Sequence, residues 1–230
     1  LRVDPPCPFF GRCGGCQWQH IDYLIQTKLK KEILEGILNR LGGLKETPSI
    51  RVIPSPQSFG YRTRTQLKAI GKALGYFEER SHRIVDVQEC PIAHSLINQM
   101  ILSIRKMFLP FSRGGEIEIN VSPDESKGVL IFHSPSLGRR TEKIFEEFLQ
   151  NHPLFKAIVI EKKEKPDLFG DPTLNFSIPI SQGREKRDLK FRTSSGSFSQ
   201  INLEQNQTLI QTVLQLSEVK KDDRVLDLYA

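Results

Sequence analysis

A chain of 230 residues with 38% hydrophobic residues is long enough to bury one large or two modest hydrophobic cores. No apolar run approaches the roughly 20 residues that a membrane span requires, and the first residues lack the apolar stretch of a signal peptide, so we expect a cytoplasmic protein with no membrane partner. The net charge of +6 at pH 7 only weakly favours a polyanionic partner such as nucleic acid, because net charge affects association rather than fold.

The first predicted elements are a loop and a helix. Residues 1–20 are rich in Pro, Gly and Cys, which predicts an irregular loop held together by something other than a hydrophobic core. Apolar residues then recur every fourth position from Ile25 to Leu41. This spacing predicts an amphipathic helix from about Asp22 to Leu41, which ends at Gly42 and Gly43. We assign this helix to a segment of its own, residues 21–45.

The next segment, 46–190, mixes two kinds of hydrophobic pattern. Alternation predicts two β-hairpins and a further strand, whereas helical spacing predicts two helices. The predicted strands are 66–70, 73–77, 116–121, 128–133 and 157–161, and the predicted helices are 93–108 and 140–150. These elements favour an α+β domain with a mostly antiparallel sheet.

Residues 191–230 have a different character. We predict a helix at 203–216 and a short apolar strand at 224–229. A buried strand of this kind is typical of a parallel sheet covered on both faces, and it cannot be stable without neighbouring strands. We therefore expect 191–230 to be the truncated start of a Rossmann-like α/β domain, which makes the fold class of the whole chain α/β.

The cysteines form one pattern. Cys7, Cys13 and Cys16 lie in a glycine-rich loop, and Cys90 follows far along the chain. Three clustered cysteines with a remote Cys-Pro fit a cubane iron-sulfur cluster better than zinc, which more often uses two paired knuckles. Zinc, two disulfides and unrelated buried thiols remain alternatives, although disulfides need an oxidising compartment that nothing else in the sequence supports.

Basic and aromatic residues are interleaved between Tyr61 and Arg83. Within this stretch, alternation would place Arg62 and Arg64 on one strand face, where they could meet RNA phosphates. The alternative is an ordinary solvated strand face whose aromatic residues belong to the core.

Five segments together resemble RNA uridine C5-methyltransferases that carry a 4Fe-4S cluster. Their order along the chain is the same as in that family. They are the cluster signature at Cys7 to His20, Tyr61-Arg62-Thr63-Arg64, the fourth-ligand segment Ser81 to Pro91, Phe198-Ser199-Gln200-Ile201-Asn202, and the first cofactor-binding strand and loop at Val225 to Ala230.

The resemblance implies a 4Fe-4S cluster held by Cys7, Cys13, Cys16 and Cys90, with a structural and RNA-binding role. It also implies methyl transfer from S-adenosylmethionine to C5 of a uridine in rRNA or tRNA. In the family a cysteine nucleophile adds to C6 of the base and a glutamate removes the C5 proton. Both lie far downstream in the family and no residue here matches them, so we expect these 230 residues alone to be inactive.

The resemblance also gives roles to individual residues. Gln200 and Tyr229 match contacts to S-adenosylmethionine, and Phe198 matches an aromatic ring that stacks near the extruded target base. Without the motif, Gln200 would be interpreted as a helix N-cap or a surface amide, and Phe198 as a core residue. The helix at 21–45 is expected to pack on the methyltransferase domain, and no protein partner is inferred.

Two other classes of protein remain open at this point. One is a non-catalytic, cluster-bearing RNA-binding module, which would explain the cysteines and the basic hairpin. The other is a structural protein stapled by zinc. The first leaves the Phe198 to Asn202 motif without a role, and the second is excluded if the purified protein holds iron rather than zinc.

Overall fold

The structure is a computed structural model that describes residues 1–107, 114–133, 140–182, 185–194, 196–220 and 222–228. In these ranges the helices are α1 (Tyr23–Arg40), α2 (Ser95–Ile104), α3 (Arg140–Asn151) and α4 (Leu203–Ser217). The strands are β1 (Arg64–Ile70), β2 (Ala73–Phe77), β3 (Ile84–Asp86), β4 (Gly115–Ser122), β5 (Lys127–His133), β6 (Phe155–Ile160), β7 (Asp167–Gly170), β8 (Leu174–Gln182) and β9 (Glu185–Thr193).

Seven of these strands form one mixed sheet in the order β3-β2-β1-β4-β5-β6-β7. Every neighbouring pair is antiparallel except β5 and β6, which are parallel and are connected through α3. Strands β8 and β9 form a separate antiparallel hairpin. The predicted α/β class with a mostly antiparallel central sheet is therefore confirmed.

One face of the large sheet carries the main core. Its inward side chains include Leu67, Ile117, Leu130 and Ile158 from four adjacent strands, each fully buried. Helices α2 and α3 cover this face, because their own apolar stripes match it in the way that an amphipathic helix packs on a sheet.

The opposite face is only partly apolar. Val129 and Ile131 of β5 and Ala157 and Val159 of β6 pack there with Leu174 of β8, so the β8–β9 hairpin covers this half of the face. Helix α4 packs in turn on β8. The other half of the face, on β1 and β4, carries polar and charged side chains, and its geometry matters for the site described below.

Helix α1 forms as predicted and has a clear start signal. The Asp22 carboxylate accepts hydrogen bonds from the Leu24 and Ile25 backbone N–H groups, which satisfies donors that a helix N-terminus leaves open. No α1 residue is buried, and Leu24, Ile33 and Ile37 are among its exposed apolar residues. Packing of this helix on a methyltransferase domain stays a prediction.

The strand predicted at 224–229 does not form within the described residues. Residues 224–228 have no strand pairing, and Val225, Leu226 and Leu228 are 71%, 80% and 72% exposed. The physical reason is the one that the sequence indicates, since a strand gains its backbone hydrogen bonds only from a neighbouring strand. The predicted domain boundary at 190/191 falls inside β9, whose pairing with β8 continues to Thr193.

Candidate functional site

The four cysteines come together at one cavity of about 70 Å³. Three of them enter from the loop before α1, and Cys90 enters from the segment between β3 and α2. Their neighbours around the cavity include Phe10, Arg62, Tyr76 and Ile92. All four thiols are free, so the disulfide alternative is not realised in this structure.

Backbone contacts hold the cysteine loop against the sheet. The Gly14 N–H donates to the Phe77 carbonyl at 2.9 Å, and Cys13 forms an isolated β-bridge with Glu78 just beyond β2. A Cβ atom at Gly14 would lie 3.2 Å from the Phe77 oxygen, so a side chain there would require the loop or β2 to shift by a few tenths of an ångström. The loop therefore adds to the end of β2 by a bridge, although it contains no strand of its own.

The fourth cysteine is fixed by an amide on α2. Asn98 accepts a hydrogen bond from the Cys90 N–H at 2.9 Å and donates one to the Cys90 carbonyl at 3.2 Å. Both backbone polar groups of Cys90 are thus satisfied by one side chain, which locks the segment in place. Sequence analysis missed Asn98, and its only local signal was its position one turn into the helix that follows Cys-Pro.

Burial and mutual repulsion act on the thiols. Burial raises the pKa of Cys13, and a hydrogen bond from the Gly15 backbone lowers it in part. The nearby charges of Cys16, Cys90 and Cys7 raise the pKa further. Burial also raises the pKa of Cys90, and hydrogen bonds from the Ile92 backbone and the Tyr76 hydroxyl counteract part of that rise. Because the thiolate is the metal ligand, loading such a site with metal would release protons.

The described residues contain no group of three or more His, Cys, Asp or Glu side chains arranged to hold a single metal ion. The cysteines instead stand around the cavity. In a cubane each of four irons takes one thiolate, so four cysteines surrounding a space suit its donor set.

The two predicted RNA-binding arginines do not share a strand face. Arg62 precedes β1, and its side chain lines the cysteine cavity with a buried Nε that has no hydrogen-bond partner among the described residues. Arg64 lies on the partly polar sheet face, where its Nη2 is 2.9 Å from the Glu118 carboxylate and its Nη1 donates to the Ser197 carbonyl at 3.4 Å. The contact of either arginine with RNA stays a prediction.

The Phe198 to Asn202 segment is attached to the start of β1. The Thr63 N–H donates to the Ile201 carbonyl at 2.9 Å, and Asn202 forms a β-bridge with Arg62. Asn202 also caps α4, because its side-chain oxygen accepts from the Gln205 N–H at 2.9 Å. The cap alternative that we considered for Gln200 therefore applies to Asn202 instead.

The side chains of this motif differ in their exposure to solvent. Phe198 is 80% exposed, so the interpretation of this residue as part of the core is wrong. Gln200 is exposed as well, and no hydrogen bond joins its side chain to the described part of the chain. Tyr229 lies outside the described residues.

A basic strand face lies next to this motif and was not found from the sequence. Lys186, Lys190 and Arg192 alternate along β9, are exposed, and form no ion pair with any residue that the structure describes. Asp188 stands between the two lysines on the same face. The signal in the sequence was this alternation of basic residues. It was missed because acidic and basic residues are mixed throughout the segment.

No protein-family model matches the chain. An uncharacterized RNA methyltransferase of Aquifex aeolicus is 32% identical over 233 residues, a match that spans 99% of this chain and 52% of the relative. The 23S rRNA (uracil(1939)-C(5))-methyltransferase RlmD of Azoarcus sp. is 29% identical over 243 residues, which span 100% of this chain and 54% of the relative. This chain therefore spans about half the length of the curated relatives that it matches.

A solved structure has the same fold. The tRNA (uracil-54, C5)-methyltransferase of Pyrococcus abyssi, in complex with S-adenosyl-L-homocysteine, matches with a TM-score of 0.67 and 21% identity over 91% of this chain and 52% of that one. The chain therefore shares the fold of the corresponding part of that structure. By sequence along its whole length, the chain is similar to proteins named RNA methyltransferases, and RNA uracil-C5-methyltransferases are among them, in agreement with the resemblance of the motifs.

Proposed function

We propose that this chain is the RNA-facing part of an S-adenosylmethionine-dependent RNA methyltransferase that acts on C5 of a uridine in rRNA or tRNA. One observation carries the proposal. Residues 62–64 join the cysteine site to the Phe198 to Asn202 motif, because Arg62 lines the cysteine cavity and Thr63 binds Ile201. The cysteine site and the Phe198 to Asn202 motif, which are separate motifs in the sequence, thus both contact residues 62–64.

The cysteine site is proposed to hold a 4Fe-4S cluster with one thiolate from each of Cys7, Cys13, Cys16 and Cys90. The donor set supports this, since four thiolates without histidine suit an iron-sulfur cluster. The cluster would supply cross-linking rather than chemistry, because it would tie the N-terminal loop to the segment before α2. Zinc is the competing occupant, and metal analysis separates the two.

The RNA is proposed to lie over the exposed motif and the adjoining basic strand face. Phe198 offers an open ring for stacking against a base, and stacking is worth about 1 to 3 kcal/mol per base. Lys190 and Arg192 would meet the phosphates beside it. Same-face residues on a strand recur about every 6.6 Å, which suits successive phosphates of an extended single strand.

S-adenosylmethionine would supply the methyl group, and Gln200 with Tyr229 are proposed as contacts to it. Gln200 is suited to this because it is exposed beside Phe198 and its amide is uncommitted within the described chain. On this proposal residues 191–230 belong to the methyltransferase domain, residues 46–190 form the RNA-facing domain, 1–20 form the cluster loop, and α1 packs on the methyltransferase domain.

The whole protein should be tested with labelled S-adenosylmethionine and unmodified rRNA and tRNA. We expect the label at C5 of uridine, identified as 5-methyluridine by mass spectrometry of the nucleosides. Phe198→Ala should lower the rate by at least about tenfold if the ring positions the base, whereas Phe59→Ala, which removes a half-exposed ring outside the motif, should not. RNA binding without any label in the unaltered protein would contradict the methyltransferase proposal and favour the non-catalytic module.

A further inference from the structure

Besides the cysteines, three polar side chains line the cysteine cavity. Gln19 accepts a hydrogen bond from the Cys7 N–H at 3.3 Å, and the proposed function leaves the other two without a role. They are Arg62, which sequence analysis assigned to RNA, and Tyr76 of β2. Both lie among the cysteines rather than on the surfaces that carry Phe198 or the basic face of β9. Their position suggests that they act on what the cysteines bind.

The backbone of Arg62 is fixed on both sides. Its N–H donates to the Ile92 carbonyl at 3.0 Å, and its carbonyl accepts from the His94 N–H at 2.9 Å. This parallel bridge sets Arg62 beside the segment that carries Cys90, and the bridge to Asn202 lies on its other side. These bonds hold the Arg62 backbone at the wall of the cysteine cavity.

The charge of Arg62 is unbalanced in the described structure. Its Nε is buried without a hydrogen-bond partner, and no carboxylate among the described residues forms an ion pair with it. The Arg62 side chain is partly buried, and a charge that is partly withdrawn from water gains from a nearby opposite charge.

Tyr76 forms a hydrogen bond within the sheet and lines the cavity beside a cysteine. Its hydroxyl is 2.7 Å from the hydroxyl of Thr65, which is buried on β1. The same side chain lines the cysteine cavity together with Cys90. If Thr65 donates to Tyr76, the Tyr76 hydroxyl is left to donate to the Cys90 sulfur, since a thiolate can only accept.

We propose that Arg62 is the counter-charge of the cluster bound by the four cysteines, and that Tyr76 is the hydrogen-bond donor to its Cys90 corner. This rests on the proposed cluster. Four thiolates give the cluster a net negative charge, which the partly buried Arg62 guanidinium at the cavity wall offsets. Positive charge and hydrogen bonds to sulfur favour the state that has gained an electron, so both residues raise the reduction potential of the cluster. Because both residues stabilise the bound cluster, they also slow the loss of iron from it.

The test compares variants of the whole protein, loaded with iron and sulfide without oxygen. Arg62→Gln removes the charge, Arg62→Lys keeps it, and Tyr76→Phe removes only the hydroxyl. Lys143→Gln is the matched control, because it removes one positive charge from an exposed position on α3. The readouts are iron per chain, the reduction potential from a titration followed by electron paramagnetic resonance, and the rate of iron loss to a chelator.

We expect Arg62→Gln and Tyr76→Phe to shift the potential to more negative values and to lose iron several-fold faster than the unaltered protein. Arg62→Lys should shift it less, and Lys143→Gln should match the unaltered protein. An unchanged potential and an unchanged loss rate in both Arg62→Gln and Tyr76→Phe would overturn the proposal. If Arg62→Gln fails to load iron, Arg62→Lys and Tyr76→Phe still decide the question.

Two results separate this inference from the functions on which it rests. If the unaltered protein holds no iron, the cluster proposal fails before any variant is compared. If the unaltered protein holds iron, Arg62→Gln should leave the slope of log affinity for RNA against log salt unchanged. A slope reduced by about one, with an unchanged potential, would return Arg62 to a phosphate contact and would contradict the inference.

Discussion

At the scale of single residues, the cysteine spacing was informative because metal-binding thiols must meet in space whatever their separation in sequence. The structure brings Cys90 to the cavity of the other three. The place of Arg62 could not be predicted, because a Tyr-Arg-x-Arg segment looks the same whether its first arginine faces water or a cavity. Only the parallel bridge with Ala93 places it beside Cys90.

Cys90→Ser should remove the metal as completely as Cys13→Ser does, although the two cysteines are supplied by distant segments. Each supplies one soft ligand of four, and a serine oxygen is a poor replacement for iron. Iron and sulfide analysis of anaerobically purified variants measures this. Ser103→Ala, outside the cavity, serves as a control, and full iron in Cys90→Ser would remove the remote cysteine from the ligand set.

Asp86 should make stability depend on pH. Burial alone would raise its pKa, but hydrogen bonds from Arg105 and the Leu74 N–H, with the Arg105 charge, bring the pKa below its ordinary value. A lowered folded pKa means that the contribution is present above about pH 4, the unfolded value, and is lost as the pH falls through the folded pKa.

Asp86→Asn should therefore lower the urea midpoint at pH 7. The difference in urea midpoint between the variant and the unaltered protein should be smaller at about pH 3 than at pH 7. Denaturation curves at the two pH values measure the gap. Asp188→Asn, on the exposed face of β9, should show little difference at pH 7. An equal gap for Asp86→Asn at both pH values would mean that the carboxylate charge does not contribute.

At the scale of elements, the sequence predicted the strands and helices that carry apolar periodicity and missed those that do not. Strands β1, β2, β4, β5 and β6 and all of the described helices match predicted segments closely. The β8–β9 hairpin was missed because β9 has the charged sequence Glu185 to Arg192 and β8 contains Pro179. Burial of Leu174 and Ile178 stabilises the hairpin. Two apolar residues four positions apart are too few to predict a strand from the sequence.

Two glycines should respond oppositely to the same substitution. Gly75 lies in β2, and a Cβ there would collide with the Val85 backbone carbonyl of β3. Gly75→Ala should cost about 1 to 3 kcal/mol, the usual range for overpacking. Gly36 lies in exposed turns of α1 with no atom near its Cβ position, so Gly36→Ala should stabilise by about 0.5 to 1 kcal/mol.

Thermal or denaturant unfolding of the two variants measures this pair. Because the chemical change is identical, the difference in sign isolates the role of the site. A neutral Gly75→Ala would show that β2 and β3 can separate without penalty. A destabilising Gly36→Ala would show that a partner packs closely on that face of α1.

At the scale of the whole molecule, the described chain has no helix long and apolar enough to cross a membrane, and its exposed cations suit a polyanion. Lys190→Ala with Arg192→Ala should flatten the slope of log affinity against log salt by about one unit for each phosphate that is no longer neutralised. Lys162→Ala is the matched control, because Asp167 already pairs with that lysine. Filter binding over a salt series gives both slopes, and a slope unchanged by the β9 variants would move the RNA path elsewhere.

The separation between the cysteines has a consequence for the lifetime of the protein in a cell. If iron joins Cys16 to Cys90, it closes a loop that contains α1 and β1 to β3, and the entropy of that loop is lost to the unfolded chain. Without iron, two isolated β-bridges, an ion pair and a few hydrogen bonds are left among the described contacts to hold the first 16 residues. Newly made chains that lack iron should therefore be cut first in that segment, so that iron supply would govern how much of the protein survives proteolysis.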